Sequence, residues 1–392
     1  MAPGADDDLD WLYGRDRPAA GQPEPTRMLP TPEPGAAAAG PRPEPAPTAS
    51  PVPPRAAPVP GPVPAPPRHP RRRRRPARMV LAVLGALALV FVLGVVAVPL
   101  YAWSTVSRVD EAPGGSRPAD QPGTTFLLVG SDSRAGLTKD ERKKLGTGSS
   151  AGQRTDTIMV MSIPPSGKPA LVSIPRDSYV AIPEHGSNKI NAAYAFGGPK
   201  LLVQTVEQQT GLRIDAYLEI GFGGFVNVID SVGGIEMCLP KAIKDRDSHI
   251  DLPEGCQTLD GTNALGYVRM RQADVRGDLG RVERQRAMLA AVAKKAMSPA
   301  SVLNPVRYYQ LSTATAKSLK LGKGTSFLNM VSLASAMRKV AGDQGLTLTV
   351  PIGDPDASTS AGSAVLWDDK EAKQMFGDIA RGDTSGLAKY AK

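Results

Sequence analysis

Two kinds of apolar pattern alternate along residues 124–384 of the chain. Short apolar runs bounded by turn residues predict buried strands at TTFLLVG, TDTIMVMSI, KPALVSI, RIDAYLEI and GIEMCLP. Longer amphipathic segments predict helices at PKLLVQTVEQQTG, at GFVNVIDSVGG and from Leu279 to about Met297. The pattern continues with helices and strands at LNPVRYYQLSTATAKSL, FLNMVSLASAMRKVA, LTLTVPI, SAVLW and DDKEAKQMFGDIA. Because strands and helices interleave, we predict an α/β domain in which helices cover a central sheet.

One apolar segment is too long for a strand. From Met79 to Ser107 the chain has no charged residue, and the segment RRRRRPAR precedes it. Residues 79–103 are therefore long enough to cross the ~30 Å hydrocarbon core as a helix. A cleaved signal peptide is disfavoured because the segment lies far from Met1 and is longer than a typical signal. The arginines would also fit nucleic acid, but beside a span they favour a single-pass type II protein of the cell membrane.

Composition divides the 392 residues into regions with different properties. Residues 1–78 are rich in Pro, Ala and Gly, which predicts a disordered cytoplasmic tail with polyproline II character. We assign residues 104–123 to a linker, 124–384 to an extracytoplasmic catalytic domain and 385–392 to a C-terminal tail. The net charge is +9, of which the first 78 residues hold +4. The remaining +5 argues against a broad nucleic-acid surface and favours a local anion site.

The chain has two cysteines, Cys238 and Cys256, and both follow the predicted span. A disulfide suits an oxidising compartment outside the cytoplasm. A zinc site is disfavoured because no histidines stand nearby at ligand spacing. We therefore predict a disulfide that closes the loop KAIKDRDSHIDLPEG.

The segment ALGYVRMRQADVRGDLGRVERQ concentrates arginine in an otherwise mostly apolar chain. If YVRMR is extended, Arg269 and Arg271 point to the same side. In the helix that follows, Arg281 and Gln285 share one face. Neighbouring guanidinium groups suit a phosphate-rich ligand, which they can bind bidentately. A solvated charged helix face is an equal alternative for three other arginines, Arg276, Arg284 and Arg286.

Charged side chains also stand at the ends of the first three predicted strands. Asp132 follows the first strand, where ligands commonly bind in such sheets. The other positions are Arg154 and Asp156 at the second strand, Arg176 and Asp177 after the third, and Lys189 beyond them. Asp132 and Asp156 have two interpretations, either as ion-pair partners of the arginines or as ligands of Mg²⁺ that share it with phosphate oxygens. Metal and arginines together would suit phosphoryl transfer. We interpret Asp177 as a loop-capping residue.

Seven motifs occur in an order that resembles the LytR–CpsA–Psr (LCP) family of membrane-anchored cell-wall glycopolymer ligases. They are VGSDSRAG, QRTDTIMVMSIP, VSIPRDSYVAIP, KINAAYAFGG, GFGGFVNVIDSVGGIEM, ALGYVRMR and GDLGRVERQ. The resemblance implies a three-layer α-β-α sandwich with a mixed central sheet. It also implies a transferase that moves a glycopolymer from a polyprenyl pyrophosphate carrier to peptidoglycan through a phosphodiester, with pyrophosphatase activity as a side reaction. The Ala- and Arg-rich tail suits an actinobacterial source.

The resemblance also implies roles for individual residues. Asp132 and Asp156 match the family's Mg²⁺ ligands, and Asp132 is our candidate for the base. The catalytic residues would be Asp132, Arg154, Arg269 and Arg271. The pyrophosphate-binding set would be Arg154, Arg176, Lys189, Arg269, Arg271, Arg281 and Gln285. The lipid would need an apolar tunnel, which residues 222–229 and 282–296 could line, although ordinary core packing explains their apolar character equally well.

Two other functions remain open at this stage. A non-catalytic binder of polyprenyl pyrophosphate would keep the arginines but would not require both Asp132 and Asp156. A transcriptional regulator would require the basic tail to bind DNA, and a proline-rich tail with one arginine run is poorly suited to reading bases. We therefore expect glycopolymer carrier, peptidoglycan and membrane as partners, and no nucleic acid.

Overall fold

The computed structural model describes residues 75–133, 137–145, 155–246, 248–270, 277–342 and 344–391. The chain divides into two compact units, residues 1–82 and 83–392. In the first unit the described residues, 75–82, are helical. The predicted disordered tail lies outside the described residues up to residue 74.

The described helices and strands follow the predicted alternation. The helices are α1 Arg75–Ser104, α2 Lys139–Lys144, α3 Ile190–Thr210, α4 Phe222–Ser231, α5 Gly261–Arg269, α6 Gly277–Ala296, α7 Pro299–Val302, α8 Pro305–Ser318, α9 Phe327–Ala341 and α10 Asp369–Ala380. The strands are β1 Ser107–Val109, β2 Thr124–Ser131, β3 Thr155–Ile163, β4 Ala170–Ile174, β5 Tyr179–Ile182, β6 Gly186–Lys189, β7 Ala216–Ile220, β8 Ile235–Leu239, β9 Ile243–Asp245, β10 Ile250–Leu252, β11 Gly255–Leu259, β12 Leu319–Gly322, β13 Leu346–Thr349, β14 Ile352–Thr359 and β15 Gly362–Trp367.

A seven-stranded sheet with the order β1-β12-β7-β2-β3-β4-β13 forms the centre of the second unit. The pair β2–β7 is parallel and the pair β2–β3 is antiparallel, so the sheet is mixed, as predicted. Side chains alternate between its two faces. Leu127 packs with residues of α3 and α10 on one face, while Phe126 packs with residues of α9 on the other. Helices therefore cover both faces, and the three-layer fold is confirmed.

The folded unit extends beyond residues 124–384 at both ends. In the predicted linker, β1 pairs in parallel with β12 at the edge of the sheet. The buried Glu111 carboxylate accepts hydrogen bonds from the backbone N–H groups of Lys323 and Gly324, at 2.7 and 2.9 Å. In the predicted C-terminal tail, Leu387 and Tyr390 are buried in the core. Residues on both sides of the predicted catalytic domain therefore pack with it.

Two local predictions were wrong. The loop predicted between the cysteines contains an antiparallel hairpin, β9–β10. The segment ALGYVR is helical, and Arg269 is the last residue of α5. The Asp260 side chain caps the N-terminus of this helix, accepting a hydrogen bond from Asn263 N at 2.8 Å. The expected strand-like alternation of Arg269 and Arg271 therefore does not apply, and Arg271 lies outside the described residues.

The predicted disulfide between Cys238 and Cys256 is present. The two residues face each other directly in the antiparallel pair of β8 and β11. The bond encloses the β9–β10 hairpin, which contributes Ile243, Ile250 and Leu252 to a second hydrophobic core. The disulfide therefore ties this hairpin to the rest of the unit.

We expect replacement of both cysteines by serine to lower the free energy of unfolding by about 3 kcal/mol. The sequence separation is 18 residues, and closing a loop of about this length removes that much entropy from the unfolded chain. Urea denaturation of the full chain in detergent, with and without reductant, measures the difference. Reductant should destabilise the native chain and leave the double variant unchanged. An equal response of the two proteins would contradict the prediction.

Residues 78–104 of α1 form a helix that is long and apolar enough to cross a membrane, by length and composition. Its large apolar side chains from Met79 to Leu93 are exposed. Pro99 lies within the helix near its C-terminal end. The structure is consistent with a single-pass membrane anchor.

Candidate active site

A pocket of about 130 Å³ opens where β2, β3 and β7 end beside α4, α5 and α6. Its polar lining includes Ser131, Asp156, Arg269 and Gln285. The rest of its wall is mainly apolar, with Leu128, Val129, Met159, Leu218, Ile220, Phe222, Phe225, Leu265, Val268 and Leu289. The pocket therefore joins a charged rim to an apolar wall.

A β-bulge places Asp156 in this rim. Gly130 pairs with Thr157, but the next residue of β2, Ser131, pairs with Thr155, so Asp156 is the extra residue in β3. A bulge redirects the side chain of the inserted residue, and such bulges are common beside active sites. Asp132 follows Ser131 directly at the end of β2. The register thus brings the backbone of both predicted metal ligands to one end of the same strand pair.

Asp156 begins a row of alternating charges. Arg176 Nη1 lies 2.7 Å from Asp156 Oδ1, and Arg176 Nε lies 3.3 Å from Asp177 Oδ2. The other Asp177 oxygen lies 3.3 Å from Lys189 Nζ. All four side chains are partly exposed. Asp177 therefore pairs with two cations, Arg176 and Lys189, rather than capping a loop. Asp156 also forms an ion pair with Arg176, which was one of its two predicted interpretations.

Arg269 reaches the pocket from the end of α5. Its guanidinium lies 4.8 Å from the centre of the Phe222 ring and donates a hydrogen bond from Nη1 to Leu145 O at 3.0 Å. Phe222 is the first residue of α4, and Gly221 is its N-cap. A helix N-terminus carries partial positive charge and attracts anions. A Cβ atom at Gly221 would lie 3.0 Å from Ser133 O, so glycine allows this close approach.

Helix α6 buries several polar side chains against the unit. Arg281 and Gln285 are one turn apart and both are buried, and Gln285 lines the pocket. Arg284 and Arg286 are buried as well, so a solvated helix face is wrong for these two residues. Arg284 Nη2 donates to Met270 O at 2.7 Å and so fixes the end of α5 against α6. Arg276 and Arg154 lie outside the described residues.

The sequence analysis missed a buried carboxylate beside the pocket, Glu219 in β7. One of its oxygens accepts hydrogen bonds from Ser131 Oγ at 2.9 Å and from Lys320 Nζ at 2.8 Å. The other accepts from the hydroxyls of Tyr194 and Tyr217, each at 2.9 Å. The sequence did contain a signal for this residue, because Glu219 is a single acidic residue between Leu218 and Ile220 in an otherwise apolar strand. Glu219 thereby supports Ser131, the residue before Asp132.

The two tyrosines are hydrogen-bond donors across the physiological pH range. Burial raises the pKa of the Tyr217 hydroxyl far above its usual range, and the Glu219 carboxylate adds to this effect. Burial and Glu219 raise the pKa of Tyr194 in the same way, and the charge of Asp132 contributes. The negative charge of Asp132 is therefore part of the electrostatic environment of the Tyr194 hydroxyl.

The carboxylates at the end of β2 and in β3 are of the ligand type that Mg²⁺ prefers. Asp132 and Asp156 supply carboxylate oxygens from adjoining strand ends. Where side chains are described, the structure has no group of three or more His, Cys, Asp or Glu that could hold a metal ion by themselves. Mg²⁺ prefers one or two carboxylates completed by water and phosphate oxygens. Two aspartates are therefore enough protein ligands for a Mg²⁺ site of this kind.

Fold and pocket together define a class of protein: a three-layer α/β domain that follows a candidate membrane span and has a pocket with a charged rim and an apolar wall. The LytR_cpsA_psr family model matches residues 104–380. The chain therefore belongs to the LytR–CpsA–Psr family. The match begins within the residues that the sequence analysis had assigned to a linker, in agreement with the position of β1 in the sheet.

Individual relatives agree with this assignment. The chain is 44% identical over 313 residues to the probable cell wall biosynthesis protein LcpB of Corynebacterium glutamicum, covering 79% of this chain and 74% of that protein. It is 40% identical over 190 residues to TagU of Oceanobacillus iheyensis, named a polyisoprenyl-teichoic acid–peptidoglycan teichoic acid transferase, covering 47% and 54%. The LytR-Csp2A-Psr enzyme from Actinomyces oris superposes with a TM-score of 0.55 at 22% identity, over 70% of this chain and 96% of that one. The structural likeness shows the fold, and the Corynebacterium relative agrees with an actinobacterial source.

Proposed function

We propose that this chain transfers a glycopolymer from a polyprenyl pyrophosphate carrier to peptidoglycan and forms a phosphodiester link, with Mg²⁺ as cofactor. Its class follows from the family and its named members: the chain is a transferase of cell-wall assembly. The observation that supports the finer proposal is the pocket, in which Asp156, Arg269 and Gln285 adjoin a wall of apolar side chains. A polyprenyl pyrophosphate has the same two parts.

The anionic head of the carrier would bind at the rim. Arg269 and the N-terminus of α4 supply positive charge there, and Gln285 supplies an amide donor. Arg176 and Lys189 would add two more cations beside the rim, where Arg176 pairs with Asp156 and Lys189 pairs with Asp177. We also assign Arg154, Arg271 and Arg281 to this set on the resemblance. Each positive group would counter the charge that the pyrophosphate brings.

The apolar wall would receive the beginning of the lipid. The pocket volume is about 130 Å³, and a cavity of about 150 Å³ accepts a molecule the size of benzene. The described pocket therefore holds about one isoprene unit next to the phosphates. Phe222 and Phe225 come from the first segment expected to line a lipid tunnel, and Leu289 comes from the second.

The transfer step replaces one phosphorus–oxygen bond by another. A hydroxyl oxygen of peptidoglycan attacks the phosphorus attached to the sugar, while the bond from that phosphorus to the bridging oxygen breaks. Polyprenyl phosphate leaves with the bridging oxygen, and Asp132 accepts the hydroxyl proton. Arg154, Arg269 and Arg271 stabilise the charge that develops on the phosphate oxygens. Mg²⁺, held by Asp132 and Asp156, would neutralise more of that charge when bound.

We further propose a type II topology in which the folded unit lies outside the cytoplasm. The arginine run at residues 71–78 precedes the apolar helix, which favours a cytoplasmic N-terminus. The disulfide between Cys238 and Cys256 suits an oxidising compartment. Carrier lipid and peptidoglycan acceptor would both be present on that side of the membrane, and no nucleic-acid partner is needed.

The test is reconstitution of the full chain in detergent with a polyprenyl pyrophosphate saccharide and a peptidoglycan acceptor. We expect Mg²⁺-dependent release of polyprenyl phosphate together with labelling of the acceptor, and removal of Mg²⁺ by EDTA should stop both. Arg269→Ala should lower turnover at least about 100-fold, because it removes charge at the phosphate site. The control Lys244→Ala removes an exposed cation that pairs with Asp251 within the β9–β10 hairpin and does not line the pocket, and it should leave turnover unchanged.

Two other results would change the proposal. Release of polyprenyl phosphate with sugar phosphate but without acceptor labelling would indicate the pyrophosphatase reaction, in which water replaces the acceptor. Tight binding of the carrier without turnover, under conditions in which a known ligase works, would favour a non-catalytic binding protein.

A further inference from the structure

A proline in α1 leaves one backbone carbonyl without its usual partner inside the helix. The carbonyl of Val95 would normally accept a hydrogen bond from the N–H of residue 99. Residue 99 is a proline inside the helix, and proline has no N–H to donate. The hydroxyl of Tyr308 in α8 donates to this carbonyl instead, at 3.0 Å. A side chain of the globular unit thus completes the hydrogen bonding of the apolar helix and fastens α8 beside its last turns.

A second contact fastens α9 to the end of the same helix. The ring of Phe327, the first residue of α9, meets the ring of Trp103 edge-on, with centroids 5.5 Å apart. The Arg108 guanidinium lies 4.2 Å from the centre of the Trp103 indole and donates from Nη1 to Thr325 O at 2.7 Å. The N-terminal ends of α8 and α9 therefore both lie next to the C-terminal end of α1.

Exposed apolar side chains concentrate on these two helix ends. Beyond α1, seven large apolar residues are exposed among the described residues, and five of them lie in or just before the first turns of α8 and α9. We call these five the apolar face: Leu303, Val306, Tyr309, Leu328 and Val331. Leu328 is 77% exposed and Leu303 is 64% exposed. Such a concentration is typical of a surface that contacts a partner or a membrane.

The segment that carries the apolar face is basic. Residues 299–342 contain six Lys or Arg and no Asp or Glu. The six are Arg307, Lys317, Lys323, Arg338 and Lys339, together with Lys320, which pairs with Glu219. An anionic phospholipid surface attracts such a segment, and its acyl region accepts apolar side chains.

The position along α1 agrees with a membrane surface. A hydrocarbon core of ~30 Å takes about 20 helical residues, so a span that begins at Met79 leaves the core near Val98. Val95, which binds Tyr308, is less than one turn before that point. With the span placed in this way, helix α8 lies at the depth where apolar side chains meet lipid head groups.

We propose that the apolar face docks on the lipid leaflet from which α1 emerges into the globular unit. The proposal rests on α1 being a membrane span, and it adds a second membrane contact to the proposed anchor. Helix α8 packs closely on α4, since a Cβ atom at Gly224 would lie 2.5 Å from Ser318 O. Helix α9 packs on α6. Helices α4 and α6 line the pocket with Phe225 and Leu289. Docking therefore leaves only α8 between α4 and the lipid, and only α9 between α6 and the lipid.

The test uses nitroxide labels on cysteines introduced singly at residues 306 and 328 of the full chain, in nanodiscs of phosphatidylcholine and phosphatidylglycerol. Electron paramagnetic resonance measures access of oxygen, which enters lipid, and of a nickel chelate, which stays in water. A label at exposed Lys373, on α10 across the sheet, is the aqueous control. A label at exposed Val90 in α1 reports on the span itself.

We expect the ratio of oxygen to nickel access at residues 306 and 328 to exceed that at residue 373 several-fold and to approach that at residue 90. Ratios equal to that at residue 373, with residue 90 in lipid, would overturn docking and leave the anchor intact. An aqueous ratio at residue 90 would overturn both the docking and the anchor. Spectral broadening that disappears on dilution with unlabelled protein would show that a second copy of the chain covers the face, and this would also overturn the proposal.

Discussion

Asp156→Asn is expected to lower transferase turnover at least about 100-fold while the carrier lipid still binds. Asparagine has nearly the same size and its amide oxygen can still accept the hydrogen bond from Arg176 Nη1, which is 2.7 Å long in the native chain. The substitution removes the negative charge at the bulge, and the proposed Mg²⁺ site needs that charge. Loss of one group that stabilises transition-state charge commonly lowers kcat by about 100- to 1000-fold. Binding should persist because Arg269 and the apolar wall are unchanged.

Asp177→Asn is the matched control for this experiment. Asp177 is the second carboxylate on Arg176, and the described lining of the pocket does not include it. If Asp156 acts as a metal ligand, Asp177→Asn should lower turnover less than about 10-fold, and added Mg²⁺ should not compensate for Asp156→Asn at ordinary concentrations. Equal losses in the two variants would instead show that both aspartates serve to position Arg176.

Glu219→Gln is expected to lower the free energy of unfolding by about 3 kcal/mol. The glutamine amide nitrogen cannot accept hydrogen bonds, so at least two of the four donors around Glu219 lose their partner. The Lys320 ammonium also loses its countercharge. Breaking a buried ion pair by removing one partner destabilises a protein by about 3–5 kcal/mol. We expect the low end because the Lys320 side chain is 31% exposed, although that of Glu219 is 0% exposed.

Two further variants separate charge from hydrogen bonding in this network. Tyr217→Phe removes one donor and leaves the carboxylate with three, so we expect a loss of about 1–2 kcal/mol. Adding Lys320→Met to Glu219→Gln removes the unpaired charge and should recover part of the loss. Urea denaturation of the full chain in detergent measures all four proteins, including the native one. A double variant less stable than Glu219→Gln alone would show that the Lys320 charge does not cause the loss.

The membrane span, the fold class, the family and the disulfide could all be predicted from the sequence alone. The uninterrupted apolar run after Arg78 predicts a span by its length alone. The alternation of strand and helix patterns predicts a layered α/β fold, and the order of motifs predicts the family. The two cysteines predict a disulfide because the chain contains no other cysteine with which either could pair. In each case the signal is the spacing or the type of residues within one segment, or a count over the chain.

Only the tertiary structure decided which distant residues meet. Glu219 bonds Ser131, 88 residues away, and Lys320, 101 residues away. These contacts exist because β7 lies between β2 and β12 in the sheet, and apolar periodicity does not specify strand order. An extended segment would have put Arg269 beside Arg271, but Arg269 lies at the end of a capped helix. Tyr308 donates to the carbonyl of Val95, 213 residues away, which has no donor within its own helix because residue 99 is a proline. Local spacing predicts the elements, whereas their long-range packing selects the partners of each polar group.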